Sequence, residues 1–184
     1  THEGGGNMTP EQVLKYMKDV CALPARKIFH NAQYDVGWLR HMGIEVKGEV
    51  VDTMIAAGII NENRWSYSLN ALAKDYLGEL KSENDLNEAA KDHGLDPKAE
   101  MWRLPAEHVG FYAEQDARLT YLLWQRFKPE MNNQSLLTIW DLESKLLPVL
   151  IRMREKGVRV DVEKAHRLKL EFQKQEKEYL HKIK

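Results

Sequence analysis

The sequence has a single cysteine, Cys21, among 184 residues. No disulfide can close within the chain, no cysteine-rich metal site can form, and a lone thiol fits a reducing compartment. Long apolar runs are also missing. The longest, Met54 to Ile60, falls far short of the roughly 20 residues needed to cross a bilayer. No basic stretch followed by an apolar one opens the chain as a secretion signal would. Internal repeats and low-complexity segments are absent, which excludes solenoids and fibrous classes.

What is present is the material of a packed core: 43% hydrophobic residues and five Trp argue against disorder. The length suits one domain of ordinary size plus a segment of another. Net charge is only −1, but it is unevenly spread. Residues 1–144 hold 15 Lys/Arg against 22 Asp/Glu, a net of −7. Residues 145–184 hold 12 against 6, a net of +6. A basic arm on an acidic body suits a protein that handles a phosphate backbone, and equally a solvated mixed-charge helix.

Punctuation divides the chain into short elements. Thr9-Pro10-Glu11 opens a helix, with Thr9 as its cap. Arg26 to His30 is expected as a short buried strand ending at Asn31, and Tyr34 to Met42 as a helix stopped by Gly43. Glu49 to Val51 is a second strand. Asp52, taken mainly as a cap and not as a metal ligand, starts a helix through Ile60. Asn61 to Ser66 is a polar loop carrying Arg64 and Trp65, types that suit a single nucleic acid strand or a bare surface. Helices follow at Leu69 to Tyr76, capped by Ser68 and closed by Gly78, and at Asn84 to His93. A long helix is expected from Pro105 to about Lys128, then one from Leu136 to Lys156 bent at Pro148. A last, highly charged helix runs from Val162 to Lys184 behind Asp161.

Two stretches carry chemistry. In the long helix Tyr112, Asp116, Leu119 and Leu123 share one row, four or three residues apart. The leucines aim that row at a core, where a carboxylate is costly to bury without a partner. That partner could be an Arg, backbone donors or a metal ion; an Asp half in water is the plainer alternative. In the other stretch, Asn31 and Asp35 fall between the carboxyl end of a strand and the first turn of a helix, the edge where open α/β sheets place ligands. Locally, Asn31 as a cap and Asp35 at the positive end of the helix dipole would explain the same residues.

Together and in this order, the two stretches resemble the second and third motifs of 3′-to-5′ exonucleases with four acidic residues (the DEDD superfamily), in the Tyr subgroup. His30-Asn31-x-x-Tyr34-Asp35, Gly43-Ile44, Asp52-Thr53-Met54, Ser68-Leu69-x-x-Leu72-Ala73 and Leu77-Gly78 follow the proofreading exonuclease domain of family A, polymerase-I-like DNA polymerases. Leu142-Glu143-x-x-Leu146-Leu147-Pro148-Val149-Leu150 and Gly157-Val158-x-Val160-Asp161 resemble the opening of the polymerase domain. The resemblance implies an α/β, ribonuclease-H-like exonuclease domain over residues 1–140, incomplete at its amino end. Over residues 141–184 it implies the first helices of a polymerase thumb.

The activity so implied is 3′-to-5′ proofreading of DNA by two-metal hydrolysis of a phosphodiester, with Mg²⁺, or Mn²⁺ or Zn²⁺, as the ions. By resemblance Asp35 and Asp116 are the metal-site carboxylates and Tyr112 positions the attacking water. A phenol titrates near pH ~10 and is a poor base at neutral pH, so orientation is its role. By the same resemblance Asn31 contacts the terminal nucleotide or braces a ligand; Arg64 is a substrate candidate from its residue type in the polar loop. DNA, as a single-stranded 3′ end or primer-template, is the implied partner, in the cytoplasm of a bacterial or phage system. One motif departs from the pattern. The family's Asp-x-Glu strand does not occur upstream of Asn31, and Asp161-Val162-Glu163 comes too late, at a helix cap. The expectation is a chain truncated at both ends and inactive by itself. A ribonuclease-D-like RNA-trimming enzyme and a catalytically dead nucleic-acid-binding scaffold are the alternatives.

Overall fold

The computed structural model of the chain describes residues 8–79 and 84–183. Its elements are α1 (Pro10–Ala22), β1 (Lys27–Phe29), α2 (Ala32–His41), β2 (Val50–Asp52), α3 (Thr53–Ile60), α4 (Leu69–Leu77), α5 (Asn84–Asp92), a 3-10 turn at Met101–Arg103, α6 (Ala106–Asn133), α7 (Leu137–Lys156) and α8 (Val162–Ile183). No helix among the described residues is long and apolar enough to cross a membrane.

Most starts and stops follow the local chemistry. Thr9 and Gln12 form a reciprocal capping box at the head of α1, satisfying two otherwise orphaned amides. Ser68 caps α4, and Gly78 ends it in the left-handed region at φ 69°, where a side chain is strained. Gly48 is required twice over. Its φ is 82°, and an added Cβ would lie 2.5 Å from the Ala25 carbonyl oxygen.

The strands β1 and β2 are parallel, in the register Lys27↔Val50, Ile28↔Val51, Phe29↔Asp52. Their connection, α2, makes this a β-α-β unit, and the helices after both strands begin at one sheet edge. Asp52 closes that edge. Although only 2% exposed, its carboxylate accepts from three backbone amides: Asn31 N at 3.0 Å, Ala32 N at 2.7 Å and Met54 N at 2.9 Å. One buried anion thus caps α3 and also holds the start of α2, where helix dipoles favour negative charge. Asn31, expected as the cap of α2, makes no capping bond with its side chain. It adopts φ 67°, ψ 53° instead, a conformation Asn tolerates better than most residues. The turn aims two successive amides at Asp52.

The helix α6 is the spine of the core. Its Leu123, Trp124, Phe127 and Met131 are buried against Val51, Ala56, Ala57 and Leu72 of β2, α3 and α4. Tyr76 meets Phe127 edge-on, with ring centroids 4.9 Å apart. The expected stop near Lys128 is not observed. The helix continues through Pro129 to Asn133, because fully buried Met131 rewards the extra turn although Pro129 can donate no amide.

The chain divides into two compact units, Thr1–Ile151 and Arg152–Lys184. The expected boundary at residue 140 falls inside α7, whose Leu147 and Ile151 are buried with Ala32 and Val36 of α2. In the second unit, Asp161 accepts from Lys164 N at 2.9 Å and caps α8, which has no buried residue.

Replacing Asp52 should be among the most damaging single changes in the first unit. Asp52→Ala leaves three inward amides short of an acceptor, each worth about 1–3 kcal/mol. We expect a loss of at least about 3 kcal/mol in urea unfolding, with Asp52→Asn, which keeps one acceptor oxygen, losing roughly half of that. A loss below about 1 kcal/mol for the Ala variant would show that the clamp is dispensable.

Candidate active site

Asp35 lies in the first turn of α2, and Tyr112 and Asp116 stand one turn apart on α6. The fold brings all three onto one open cleft of about 870 Å³. The row read from the sequence is real: Leu119 and Leu123 are fully buried, while Asp116 and Tyr112 are half-buried at the end of the same helix face. Tyr112 packs against a small apolar cluster of Leu86, Ala90 and Leu104, so its hydroxyl is carried on a braced ring.

The cleft is electrostatically acidic. Burial pushes the Asp35 carboxyl above the ordinary carboxylate range, and the Asp52 anion behind it pushes in the same direction. His30, also on the cleft wall, is lowered from the usual imidazole value by burial, with Asp52 and Asp116 opposing that shift. The Thr53 hydroxyl donates to the Phe29 carbonyl at 3.1 Å. Thr53 Oγ1 and His30 Nδ1 lie 2.9 Å apart, and a hydrogen bond to the Tyr67 backbone also holds the imidazole.

Residues 7–132 match the model of a family described as 3′-5′ exonuclease. The chain belongs to that exonuclease family. It is 40% identical over 166 residues to the DNA-directed DNA polymerase of Pseudomonas phage M6, covering 89% of this chain and 25% of that protein. It is 35% identical over 159 residues to DNA polymerase DpoZ of Salmonella phage PMBT28, covering 83% and 25%. It is 31% identical over 138 residues to DNA polymerase I of Synechocystis, covering 73% and 13%. The chain thus spans about a quarter of the length of these phage relatives. Its fold matches a solved structure described as the apo form of the nuclease, with a TM-score of 0.59 and 21% identity over 84% of this chain and 68% of that one.

Within this cleft the donor set fits a divalent cation in kind. Two carboxylates are hard oxygen ligands, and the upward push on Asp35 is the mark of an anion that a nearby cation would relieve. The number is smaller than an ion pair needs. Among the described residues no three His, Cys, Asp or Glu side chains gather to hold a metal. Two later Asp-x-Glu triplets do not add to it. Asp141, before Glu143, pairs with Lys145 at 2.6 Å, and Asp161, before Glu163, caps α8.

The two expected substrate residues are placed differently. Asn31 sits at the head of α2 with an exposed side chain, its backbone amide held by Asp52. The Arg64 guanidinium is engaged elsewhere: with Asp75 at 2.6 Å, with the Ser66 carbonyl at 3.3 Å, and over the Tyr76 ring at 5.3 Å. It does not line the cleft, and its surroundings make it a brace for the loop before α4. Several lining residues carried no sequence expectation, among them Trp38, Asn70 and Thr120, and His30 entered only as part of a motif with no role of its own. Thr120 was reachable, since it stands four residues beyond Asp116 on the same face. Asn70 was not, because nothing local links the head of α4 to the cleft.

The Asp35 shift has a sign that can be checked. A carboxyl whose folded pKa is raised binds its proton more tightly folded than unfolded, so stability falls as pH rises through that value. In metal-free buffer, Asp35→Asn should therefore be at least as stable as the wild type at neutral pH. The difference should close as pH drops below the ordinary carboxylate range. Urea midpoints at neutral and acid pH test this, and a variant less stable at neutral pH would mean that Asp35 is a structural anion.

Proposed function

We propose that this chain is the 3′-to-5′ exonuclease domain of a family A DNA polymerase and removes nucleotides from the 3′ end of single-stranded DNA, proofreading in the parent protein. The observation that carries the reading is the meeting of Asp35, Tyr112 and Asp116, from helices far apart in sequence, on one cleft. The β-α-β unit and its flanking helices belong, in this reading, to a ribonuclease-H-like sheet. The segment from residue 141 onward is the start of a polymerase thumb.

Asp35 and Asp116 would hold a divalent ion such as Mg²⁺, and further carboxylates from an upstream Asp-x-Glu strand would complete a pair of ions. When bound, such ions stabilise charge on the phosphoryl oxygens and make a bound water more acidic. The remaining roles fall to this chain's own groups. The Tyr112 hydroxyl orients the attacking water towards the terminal phosphodiester. His30 lines the same cleft, where it adds a polar group beside the carboxylates. Asn31, at the head of α2 and outside the residues that line the cleft, would contact the terminal nucleotide. The product is a nucleoside monophosphate.

The test is degradation of a single-stranded oligonucleotide with Mg²⁺ or Mn²⁺, by this chain and by one extended upstream to include an Asp-x-Glu strand. The extended protein should be active and the short one nearly inert, since two carboxylates poorly offset the dehydration of Mg²⁺. In the active protein, Asp116→Ala should abolish hydrolysis. Tyr112→Phe should keep metal and DNA binding and slow the reaction about 10²-fold, the scale of assistance by a positioned side chain. Robust metal-dependent activity of the short chain, lost in Asp116→Ala, would overturn the assignment of the missing ligands. Equal loss of metal binding in both variants would make Tyr112 a structural residue.

A further inference from the structure

One wall of the cleft is apolar and open to solvent, and neither the carboxylates nor the water-positioning group accounts for it. Along α2 and its C-cap, Tyr34, Trp38 and Met42 are all about half exposed, Trp38 at 54%. All three line the same cleft as Asp35 and Asp116. They stand four residues apart on one helix face. Trp38 has two aromatic neighbours. It forms T-shaped pairs with the Tyr34 ring, centroids 6.4 Å apart at 68°, and with the His41 ring, 5.7 Å apart at 88°. With those neighbours the large ring is still half exposed. Meanwhile the polar side of the cleft is acidic and repels a phosphate chain.

We propose that Trp38 is a stacking platform for an unpaired base of the strand whose 3′ end lies at Asp35 and Asp116, with Met42 extending the platform outward. This rests on the exonuclease reading above and deepens it by assigning a specificity residue for single strands. The spacing supports it. At about 1.5 Å of rise per residue, Trp38 stands about 4.5 Å further along α2 than Asp35 and Met42 about 10 Å. Successive nucleotides of a stacked strand are about 3.4 Å apart, and further when extended. A terminal phosphodiester at Asp35 therefore brings the base one nucleotide inward alongside Trp38. Stacking is also tolerant of base identity, as an enzyme that removes any mismatched nucleotide requires. A paired base presents no free face to such a wall, so the platform selects frayed ends over duplex.

The experiment measures equilibrium binding of labelled oligo(dT) by fluorescence anisotropy in chelator, without hydrolysis, for the wild type, Trp38→Ala and Trp38→Phe. Each protein is also titrated with a strand carrying an abasic site one nucleotide from the 3′ end. We expect Trp38→Ala to weaken binding about 10- to 100-fold, the range for loss of one base–aromatic stack. Trp38→Phe should recover most of that. The abasic strand should weaken wild-type binding to a similar extent and should bind the Ala variant no worse than oligo(dT) does. Being half exposed, Trp38 can be replaced without opening the core, and unchanged urea midpoints will verify it. An Ala variant that binds oligo(dT) like the wild type, or loses equally on both strands, overturns the platform while leaving the carboxylate site intact. A wild type that binds no strand overturns the cleft as a DNA site altogether. Self-association abolished by Trp38→Ala, without strand binding, would assign this face to a protein contact and also overturn the proposal. Oligo(U) in a further arm separates DNA preference from stacking, and tighter binding to it would return the site to an RNA-trimming reading.

Discussion

The carboxylate of Asp52 is the constraint on which the site depends. It is buried at the end of β2 and bonded to three amides from two different chain segments. A buried charge is stable only when its hydrogen-bonding capacity is met, and here backbone alone meets it. The bonds fix where α2 begins relative to β2, and hence where Asp35, one turn later, enters the cleft. The same charge sits behind Asp35 and raises its affinity for a proton. One residue thus serves as a clamp and as an electrostatic bias, which explains an Asp where a Ser or Thr cap would have sufficed for α3 alone.

The opposite wall is organised by a different principle. The long helix α6 is anchored through Leu119, Leu123, Phe127 and Met131, all fully buried, and only its amino-terminal half leaves the core to line the cleft. Side chains one turn beyond such an anchor have little freedom to drift. Tyr112 and Asp116 are accordingly presented by a rigid rod and not by a loop. Arg118 pairs with Glu79 at the end of α4, adding a tie between that rod and its neighbour at the surface.

Much of this was legible from local chemistry. Caps at Thr9, Ser68 and Asp161, the stop at Gly78, and the Tyr112–Leu123 row all follow from spacing and from residues with narrow conformational needs. What was not legible is what only tertiary contact decides. The role of Asp52 at the head of α2 rests on strand register, which brings together residues some twenty positions apart. The capture of Arg64 by Asp75 and Tyr76 depends on how the loop before α4 folds back, and composition alone pointed it towards phosphate. The helix through Pro129 went unforeseen because the burial of Met131 outweighs a breaker that dominates when only local preferences are compared.

In the proposed reading, the two walls together resolve a conflict inherent in cutting a polyanion with carboxylates. Unit charges about 4 Å apart repel by about 1 kcal/mol in water and by about 4 kcal/mol near a protein surface. A cleft holding Asp35 and Asp116, backed by Asp52, therefore gains little affinity from its own charges for a phosphate chain. The depressed His30, neutral near physiological pH because burial outweighs both acids, adds no positive charge to offset this. Cations that bind the carboxylates can reverse the sign locally, at the phosphodiester to be cut. They cannot hold the rest of the strand, which extends beyond their reach at ordinary ionic strength. In that reading, contact with the bases is a source of affinity that the cleft itself can supply. It is indifferent to phosphate charge, it is available only where the bases are unpaired, and the exposed ring of Trp38 on α2 is positioned to supply it.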